Sequence, residues 1–169
     1  MAYGPRVTAA YALPDRDLLA QCTVERCRAG GPGGQHLART ESAVRIVHRD
    51  TGIEARCQDN RDRLANQASA LARLRLRLAL RLRGAADPAW VAAQRRGRQL
   101  PLGPSSASYP LVVAAALDAL AMAGGQLTPA AQALGVSGTQ LARLLTADKE
   151  VHAATDALRA AQGFGPLHG

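Results

Sequence analysis

The sequence predicts an α+β domain, built from a small mixed sheet and a long amphipathic helix, followed by a small all-α helical module. Three observations lead to this prediction. Two segments typical of strands, residues 43–48 and 53–57, flank a turn at residues 50–52. Residues 62–83 consist largely of strong helix formers and contain no β-branched residue. After residue 109 the chain has the start and stop signals of several short helices.

The strand-forming part of the chain begins after a lead-in at residues 1–14. Residues 21–28 contain β-type residues and end at a glycine cluster, residues 30–34. That cluster can be neither the interior of a helix nor that of a strand, because its backbone must visit conformations that only glycine tolerates. Residues 43–48 and 53–57 follow as two strands of a hairpin.

Residues 62–83 allow two interpretations. Alternate leucines from Leu74 to Leu82 have the period of a strand. The helix-forming composition favours one long amphipathic helix instead. Its predicted apolar face consists of Leu64, Leu71, Leu74, Leu78 and Leu82. A second face carries an arginine stripe, which consists of Arg73, Arg77 and Arg81.

The predicted domain boundaries follow changes in composition. The first domain covers residues 1–84, with its core at 17–83, and a basic linker containing Pro, Gly and Ser covers 85–108. Residues 109–169 form the helical module. Its helices are predicted at 111–123, 128–134 (with Thr128 as N-cap), 137–145 and 148–161. Residues 130–141 have the pattern of a helix-turn-helix.

Charge separates the two halves of the chain. The formal net charge is +8 and the isoelectric point is about 10.6. Residues 1–98 hold 18 arginines against 9 acidic residues, whereas residues 99–169 hold 3 basic and 4 acidic residues. Such an excess favours a polyanionic partner. The first half is therefore predicted to bind the polyanion, either nucleic acid or an anionic membrane, and the second half is not expected to bind duplex DNA strongly.

The cysteines and apolar runs indicate the compartment. Cys22, Cys27 and Cys57 form no CxxC pair and have no histidine at zinc-finger spacing, so we expect reduced core cysteines, no metal site and no cofactor. The longest apolar run, residues 111–117, is far below membrane-spanning length. These features predict a cytoplasmic protein without a membrane partner.

The glycine cluster belongs to a longer motif. Residues 28–46 read Arg-Ala-Gly-Gly-Pro-Gly-Gly-Gln-His-Leu-Ala-Arg-Thr-Glu-Ser-Ala-Val-Arg-Ile. This segment resembles the signature of bacterial class I peptide chain release factors, and the likeness extends over about residues 17–83. A second Gly-Gly-Gln, at residues 124–126, lacks the flanking residues and is predicted to be a turn between helices. The sequence departs from the family pattern at Ala38, where the family usually has Asn, at Asp50, where it has Pro, and at Asp62-Arg63, where it has Ser-Gln.

The resemblance implies ribosome-dependent hydrolysis of the ester bond in peptidyl-tRNA, with Gly33, Gly34 and Gln35 as catalytic residues. Glycines leave the backbone free to direct the Gln35 N–H toward a developing oxyanion, a contribution of roughly 3 kcal/mol. The family assigns the Gln35 side chain to water placement. It also implies N5-methylation of Gln35 by a release-factor glutamine methyltransferase. His36 is expected to pack the loop or contact RNA, and His48 to be structural.

The implied partners are large-subunit rRNA and peptidyl-tRNA. Arginine side chains suit contacts with phosphates. The predicted RNA-binding residues are Arg28, His36, Arg39, Arg45, Arg73, Arg77, Arg81, Arg95, Arg96 and Arg98.

The layout is closest to that of short release-factor-like hydrolases that rescue stalled ribosomes, so we predict codon-independent action. Two alternatives stay open. The first is a specialised release factor for a damaged or partnered ribosome. The second is a nucleic-acid-binding regulator that uses the helix-turn-helix, although the second helix of that motif offers only Gln140 and Arg143.

Overall fold

The computed structural model describes residues 9–27, 42–84 and 86–168. It contains two compact units, residues 10–78 and the described residues from 79 onward. The prediction of an α+β fold with a helical module is confirmed. The boundaries predicted at residues 84 and 108 stay predictions.

The first unit holds a three-stranded antiparallel sheet and a long helix. It begins with a short 3-10 helix, Ala10–Ala12. The remaining elements are α1 (Asp15–Ala20), β1 (Cys22–Cys27), β2 (Ala43–His48), β3 (Glu54–Cys57) and α2 (Arg63–Arg81). The strand order is β1-β2-β3. The predicted hairpin of β2 and β3 is therefore confirmed, while the sheet, expected to be mixed, is antiparallel among the described strands.

The core of the first unit lies between residues of the sheet and the apolar side of α2. Val44 and Ile46 are buried in β2, and Leu71, Leu74 and Leu78 are buried in α2. The strand interpretation of the alternating leucines is thus excluded, because residues 63–81 form one helix. Leu64, however, was predicted on the apolar face and is 66% exposed. It stands in the first turn of α2, before the first buried residue of the helix.

The second unit is helical. Its helices are α3 (Ala89–Gln94), α4 (Tyr109–Met122), α5 (Leu127–Leu134), α6 (Gly138–Thr146) and α7 (Lys149–Ala160). The segment 85–108, expected to be a linker, thus contains a helix, whose start is supported by a hydrogen bond of 2.9 Å from the Ala89 N–H to the Asp87 carboxylate. Val91 and Leu100 of this segment are buried.

The turns of the second unit follow the sequence signals closely. Residues 124–126 separate α4 from α5, and both glycines have positive φ (60° and 81°), which confirms the second Gly-Gly-Gln as a turn. The predicted helix-turn-helix is also present. Gly135 is left-handed after α5, and the Ser137 side chain caps α6 by accepting from the Gln140 N–H. The N-cap predicted at Thr128 is wrong, because α5 begins at Leu127.

All three cysteines are unpaired in the structure, and two of the three lie in the core as predicted. Cys22 and Cys57 are buried, whereas Cys27 is partly exposed at the end of β1. Burial raises the pKa of the Cys22 thiol, although the Arg49 charge acts in the opposite direction. His48 is 3% exposed, and its ring nitrogens lie 2.9 Å from Thr51 Oγ1 and 3.1 Å from Gln21 Oε1. This histidine is therefore structural, as predicted.

Candidate catalytic loop and its anchors

The predicted catalytic residues Gly33, Gly34 and Gln35 lie outside the described residues. So do three of the predicted RNA-binding residues, Arg28, His36 and Arg39. What the structure describes is the framework on both sides of this segment.

The two ends of the glycine-rich segment are joined to adjacent strands. Cys27, the last residue of β1, pairs with Ala43, the first residue of β2, in the antiparallel register. That register continues to Cys22 paired with His48. Backbone hydrogen bonds of a ladder fix the relative position of the strands they join. Cys27 and Ala43, which flank residues 28–42, therefore lie side by side on the sheet.

Asn66 ties the second end of this segment to α2. It is fully buried, and its amide Nδ2 donates to the Ser42 carbonyl at 2.8 Å. The same nitrogen donates to the Asn60 carbonyl at 2.8 Å, while Asn66 Oδ1 accepts from the Asn60 N–H at 2.9 Å. The Cys57 thiol lies 3.4 Å from that oxygen. A buried amide with all of its groups engaged fixes its neighbours in one arrangement.

Arg45 lies on β2 between two carboxylates. Its guanidinium donates to Glu25 on β1 at 2.7 Å and to Glu54 on β3 through Nε at 2.9 Å. The hydrogen bonds with Glu54 and then Glu25 raise the pKa of Arg45, and the bond from Arg45 lowers the pKa of Glu54. Arg45 therefore bridges three strands, and a contact with phosphate would require it to leave these partners.

The arginine stripe of α2 faces β3 for part of its length. Arg73 donates to the Arg56 carbonyl at 2.9 Å and forms an ion pair with Asp59, whose pKa it lowers. Arg77 donates to the Glu54 carbonyl at 2.8 Å. Arg81 is exposed. The first two members of the stripe thus help to attach α2 to the sheet, a role that periodicity alone did not indicate.

The described residues contain no cluster of candidate metal ligands. Within residues 9–27, 42–84 and 86–168, no group of three or more His, Cys, Asp or Glu side chains could hold a metal ion. Over the same residues, no helix is both long and apolar enough to cross a membrane.

Comparison with known families decides what this framework is. The model of the RF-1 domain matches residues 15–101 of the 169, which is more than half of the chain. The chain belongs to the RF-1 domain family. The match includes the sheet, α2 and the whole segment that contains Gly33, Gly34 and Gln35. The resemblance to the catalytic domain of bacterial class I release factors is thereby confirmed.

Relatives of this RF-1 domain protein include named release factors. A chloroplastic peptide chain release factor of Arabidopsis thaliana is 58% identical over 55 residues, which cover 32% of this chain and 11% of the relative. Peptide chain release factor 1 of Caldicellulosiruptor bescii is 56% identical over 55 residues, 32% of this chain and 16% of the relative. Peptide chain release factor 1 of Delftia acidovorans is 47% identical over 74 residues, which cover 44% of this chain and 19% of the relative. The matched part of this chain thus spans less than a fifth of each of these relatives.

One departure of this RF-1 domain from the family pattern has a structural explanation. Asp62 stands where the family usually has Ser, at the start of α2. Its carboxylate accepts from the Leu64 N–H at 3.0 Å and from the Ala65 N–H at 3.3 Å. Asp and Ser are both preferred helix caps, so the substitution preserves the helix start. Ala38 lies outside the described residues.

Proposed function

We propose that this RF-1 domain protein hydrolyses the ester bond of peptidyl-tRNA within the ribosome, using the loop that contains Gly33, Gly34 and Gln35. The observation that carries the proposal is the RF-1 domain match, which includes this loop and the strands at both of its ends. Release factors among the relatives support the same activity.

The proposed chemistry is positional and electrostatic. Water attacks the ester carbonyl, the carbonyl oxygen becomes an oxyanion, and the tRNA 3′-hydroxyl leaves. The Gln35 backbone N–H would donate to the oxyanion, which is worth roughly 3 kcal/mol for one donor. The Gln35 side chain would place the water, and the ribose of the substrate and the ribosome would supply general base catalysis. Methylation of Gln35 by a release-factor glutamine methyltransferase belongs to this proposal, and a gain of one methyl mass on the loop peptide would test it.

The partners follow from the same assignment. We propose that large-subunit rRNA and peptidyl-tRNA are bound in the cytoplasm, with Arg28, His36 and Arg39 of the loop contacting RNA. The further candidates, on β2 and α2, are Arg45, Arg73, Arg77 and Arg81. Arg81 is exposed, whereas Arg45 and Arg73 would first have to release a carboxylate.

We further propose codon-independent action of the rescue type. The described residues beyond the RF-1 domain match, 102–168, form one helical module, which we assign to targeting rather than to the reaction. Ribosomes carrying peptidyl-tRNA with a truncated mRNA, a sense codon or a stop codon in the decoding site test this. Equal release on the sense and stop codons is expected. Release confined to the stop codon would contradict codon independence, and release that requires a damaged ribosome or an added factor would favour the specialised release factor.

The catalytic assignment is tested by Gly34→Ala. We expect this variant to lose peptide release while it still binds ribosomes, because Gly34 is assigned a backbone path closed to residues with a Cβ. The matched control is Gly125→Ala, the same change in the second Gly-Gly-Gln, which is a turn between α4 and α5. The control should lose some stability but, assayed below its unfolding temperature, should release peptide at the rate of the unaltered protein. Normal release by Gly34→Ala would show that the loop is not catalytic.

A further inference from the structure

A basic turn projects three exposed arginines from the second unit. We call residues 95–98 the basic turn; it contains Arg95, Arg96 and Arg98, all of which are exposed. The turn is closed by two backbone hydrogen bonds between Arg96 and Gln99, at 2.9 and 3.0 Å. Gly97 has φ of 60°, which a tight turn of this kind requires. The arginines are therefore displayed from a closed turn rather than from a loose linker.

The basic turn is attached to the helix-turn-helix. The Ser137 N–H donates to the Arg98 carbonyl at 3.1 Å, and the Leu100 N–H donates to Gln140 Oε1 at 3.2 Å. Leu100 is buried, which fixes the chain directly after the turn. A Cβ at Gly135 would come within 3.1 Å of Arg95 Nη1, so the Arg95 guanidinium lies directly against the turn between α5 and α6.

These contacts occupy the part of α6 that a DNA-reading helix would use. In DNA-binding helix-turn-helix proteins, residues at the N-terminal end of the second helix contact base edges in the major groove. Here Gln140, in the first turn of α6, accepts a hydrogen bond from the backbone of the same chain. The backbone of Arg98 is bonded to the N-cap residue of α6. Residues 98–100 thus engage Ser137 and Gln140 at the start of α6, while Thr139 between them is exposed.

Three arginines of the first unit have carboxylate partners, unlike the arginines of the basic turn among the described residues. Arg45, Arg73 and Arg75 each form an ion pair with a carboxylate. Among the described residues, no carboxylate forms an ion pair with Arg95, Arg96 or Arg98. Three uncompensated guanidinium groups on one turn create the positive patch that phosphate oxygens bind.

We propose that the basic turn is an RNA-binding surface of the second unit, which holds backbone phosphates and docks the chain on ribosomal RNA. Its identity as an RNA surface rests on the proposed function. The helix-turn-helix then serves as the support of the turn, and α6 does not read DNA.

The test compares two full-length double variants with equal loss of charge. Arg96→Gln/Arg98→Gln removes two charges of the turn and keeps Arg95, which contacts Gly135. Arg143→Gln/Lys149→Gln removes two exposed charges of the same unit, one of them on α6. Binding to a labelled RNA hairpin, and to a DNA duplex of the corresponding sequence, is measured by fluorescence anisotropy over a range of salt concentrations. Circular dichroism checks that both variants are folded.

The turn variant should bind RNA more weakly. The negative slope of the logarithm of the association constant against log salt should become shallower by about 1.4 to 1.8, since each lost phosphate contact contributes about 0.7 to 0.9 to its magnitude. The control variant should keep the slope of the unaltered protein. Equal slopes for the two variants would overturn the proposal. Tight DNA binding that is lost in the Arg143→Gln/Lys149→Gln variant would also overturn it and assign DNA reading to α6. No ribosome or peptide release enters this measurement, so a failure here is distinct from a failure of the Gly34→Ala test.

Discussion

Replacing Asn66 with alanine should weaken the first unit more than any surface change would. Asn66 is fully buried and joins three parts of that unit. Its Nδ2 donates to the carbonyls of Ser42 and Asn60, both at 2.8 Å, and its Oδ1 accepts from the Asn60 N–H at 2.9 Å. Alanine removes all of these bonds and leaves a small cavity in their place.

The expected loss follows from these three bonds. A hydrogen bond within a protein contributes about 1 kcal/mol net, and a buried group left without a partner costs about 1–3 kcal/mol. Three bonds give about 3 kcal/mol. The Ser42 and Asn60 backbone groups can recover part of this by binding water, since Asn60 is exposed and Ser42 partly so. We therefore expect Asn66→Ala to lower the free energy of unfolding by about 2–4 kcal/mol.

A urea titration followed through the amide NMR signals of β2 and α2 measures the stability of the first unit itself. Asn60→Ala is the matched control, because the hydrogen bonds of Asn60 described above use only its backbone, and we expect a change within about 0.5 kcal/mol. Asn66→Asp retains the acceptor but loses both N–H donors and buries a charge, so it should also destabilise the unit. A loss below about 1 kcal/mol in Asn66→Ala, or equal losses in the alanine variants at 60 and 66, would refute the reasoning.

Three further predictions concern other parts of the fold. Gly125→Ala should lower the free energy of unfolding by about 1–2 kcal/mol, because Gly125 has φ of 81° and a Cβ there would lie 3.1 Å from Phe164. Thermal unfolding measures this, and an unchanged unfolding midpoint would contradict the turn assignment. Ser137→Ala should cost about 1 kcal/mol by loss of the α6 cap, measured by urea unfolding, while Ser137→Thr should retain most of that stability. Arg45→Gln should return the pKa of Glu54 toward its ordinary value, seen by NMR titration. Because the pKa of Glu54 is lowered in the folded protein, the stability from this ion pair is present above the ordinary glutamate pKa and is lost as the pH falls through the lowered one.

Local signals in the sequence were sufficient for most elements. The turn residues 50–52 correctly predicted the hairpin of β2 and β3, because turn residues between two β-rich runs permit few other structures. The helix-turn-helix was predicted correctly from Gly135 and Ser137, since a left-handed residue ends one helix and a hydroxyl cap begins the next. The residues flanking each Gly-Gly-Gln, rather than the three letters themselves, distinguished the copy within the RF-1 domain match from the copy that forms a turn between α4 and α5.

Long-range packing explains the errors. Helical periodicity placed Leu64 on the side of Leu71 and Leu78, but periodicity gives the angle around the axis and not how far along α2 the packing extends. The burial of Asn66 was not predicted, although Asn66 lies four residues before Ala70 and eight before Leu74, a spacing that places it on the buried face. A polar residue on that face is a signal of a buried hydrogen-bonding network.

The helix within residues 85–108 was not predicted, for a different reason. An Asp-Pro pair such as Asp87-Pro88 is common in linkers, yet the same pair also begins helices. The basic turn that follows is held by bonds to residues 40 positions further along the chain. No local pattern reports such partners, so the exposed arginines could be predicted from the sequence but not their attachment.

The exposure of the three thiols also makes the protein convenient to label. Cys22 and Cys57 are buried, and burial keeps the Cys22 thiol protonated, so reagents that require an accessible thiolate should react slowly with them. Cys27 is the partly exposed member of the three, and it directly precedes residue 28 at the end of β1. A fluorophore or spin label could therefore be attached at the base of the glycine-rich segment without introducing a new cysteine. Its signal would report directly when that segment enters a ribosome.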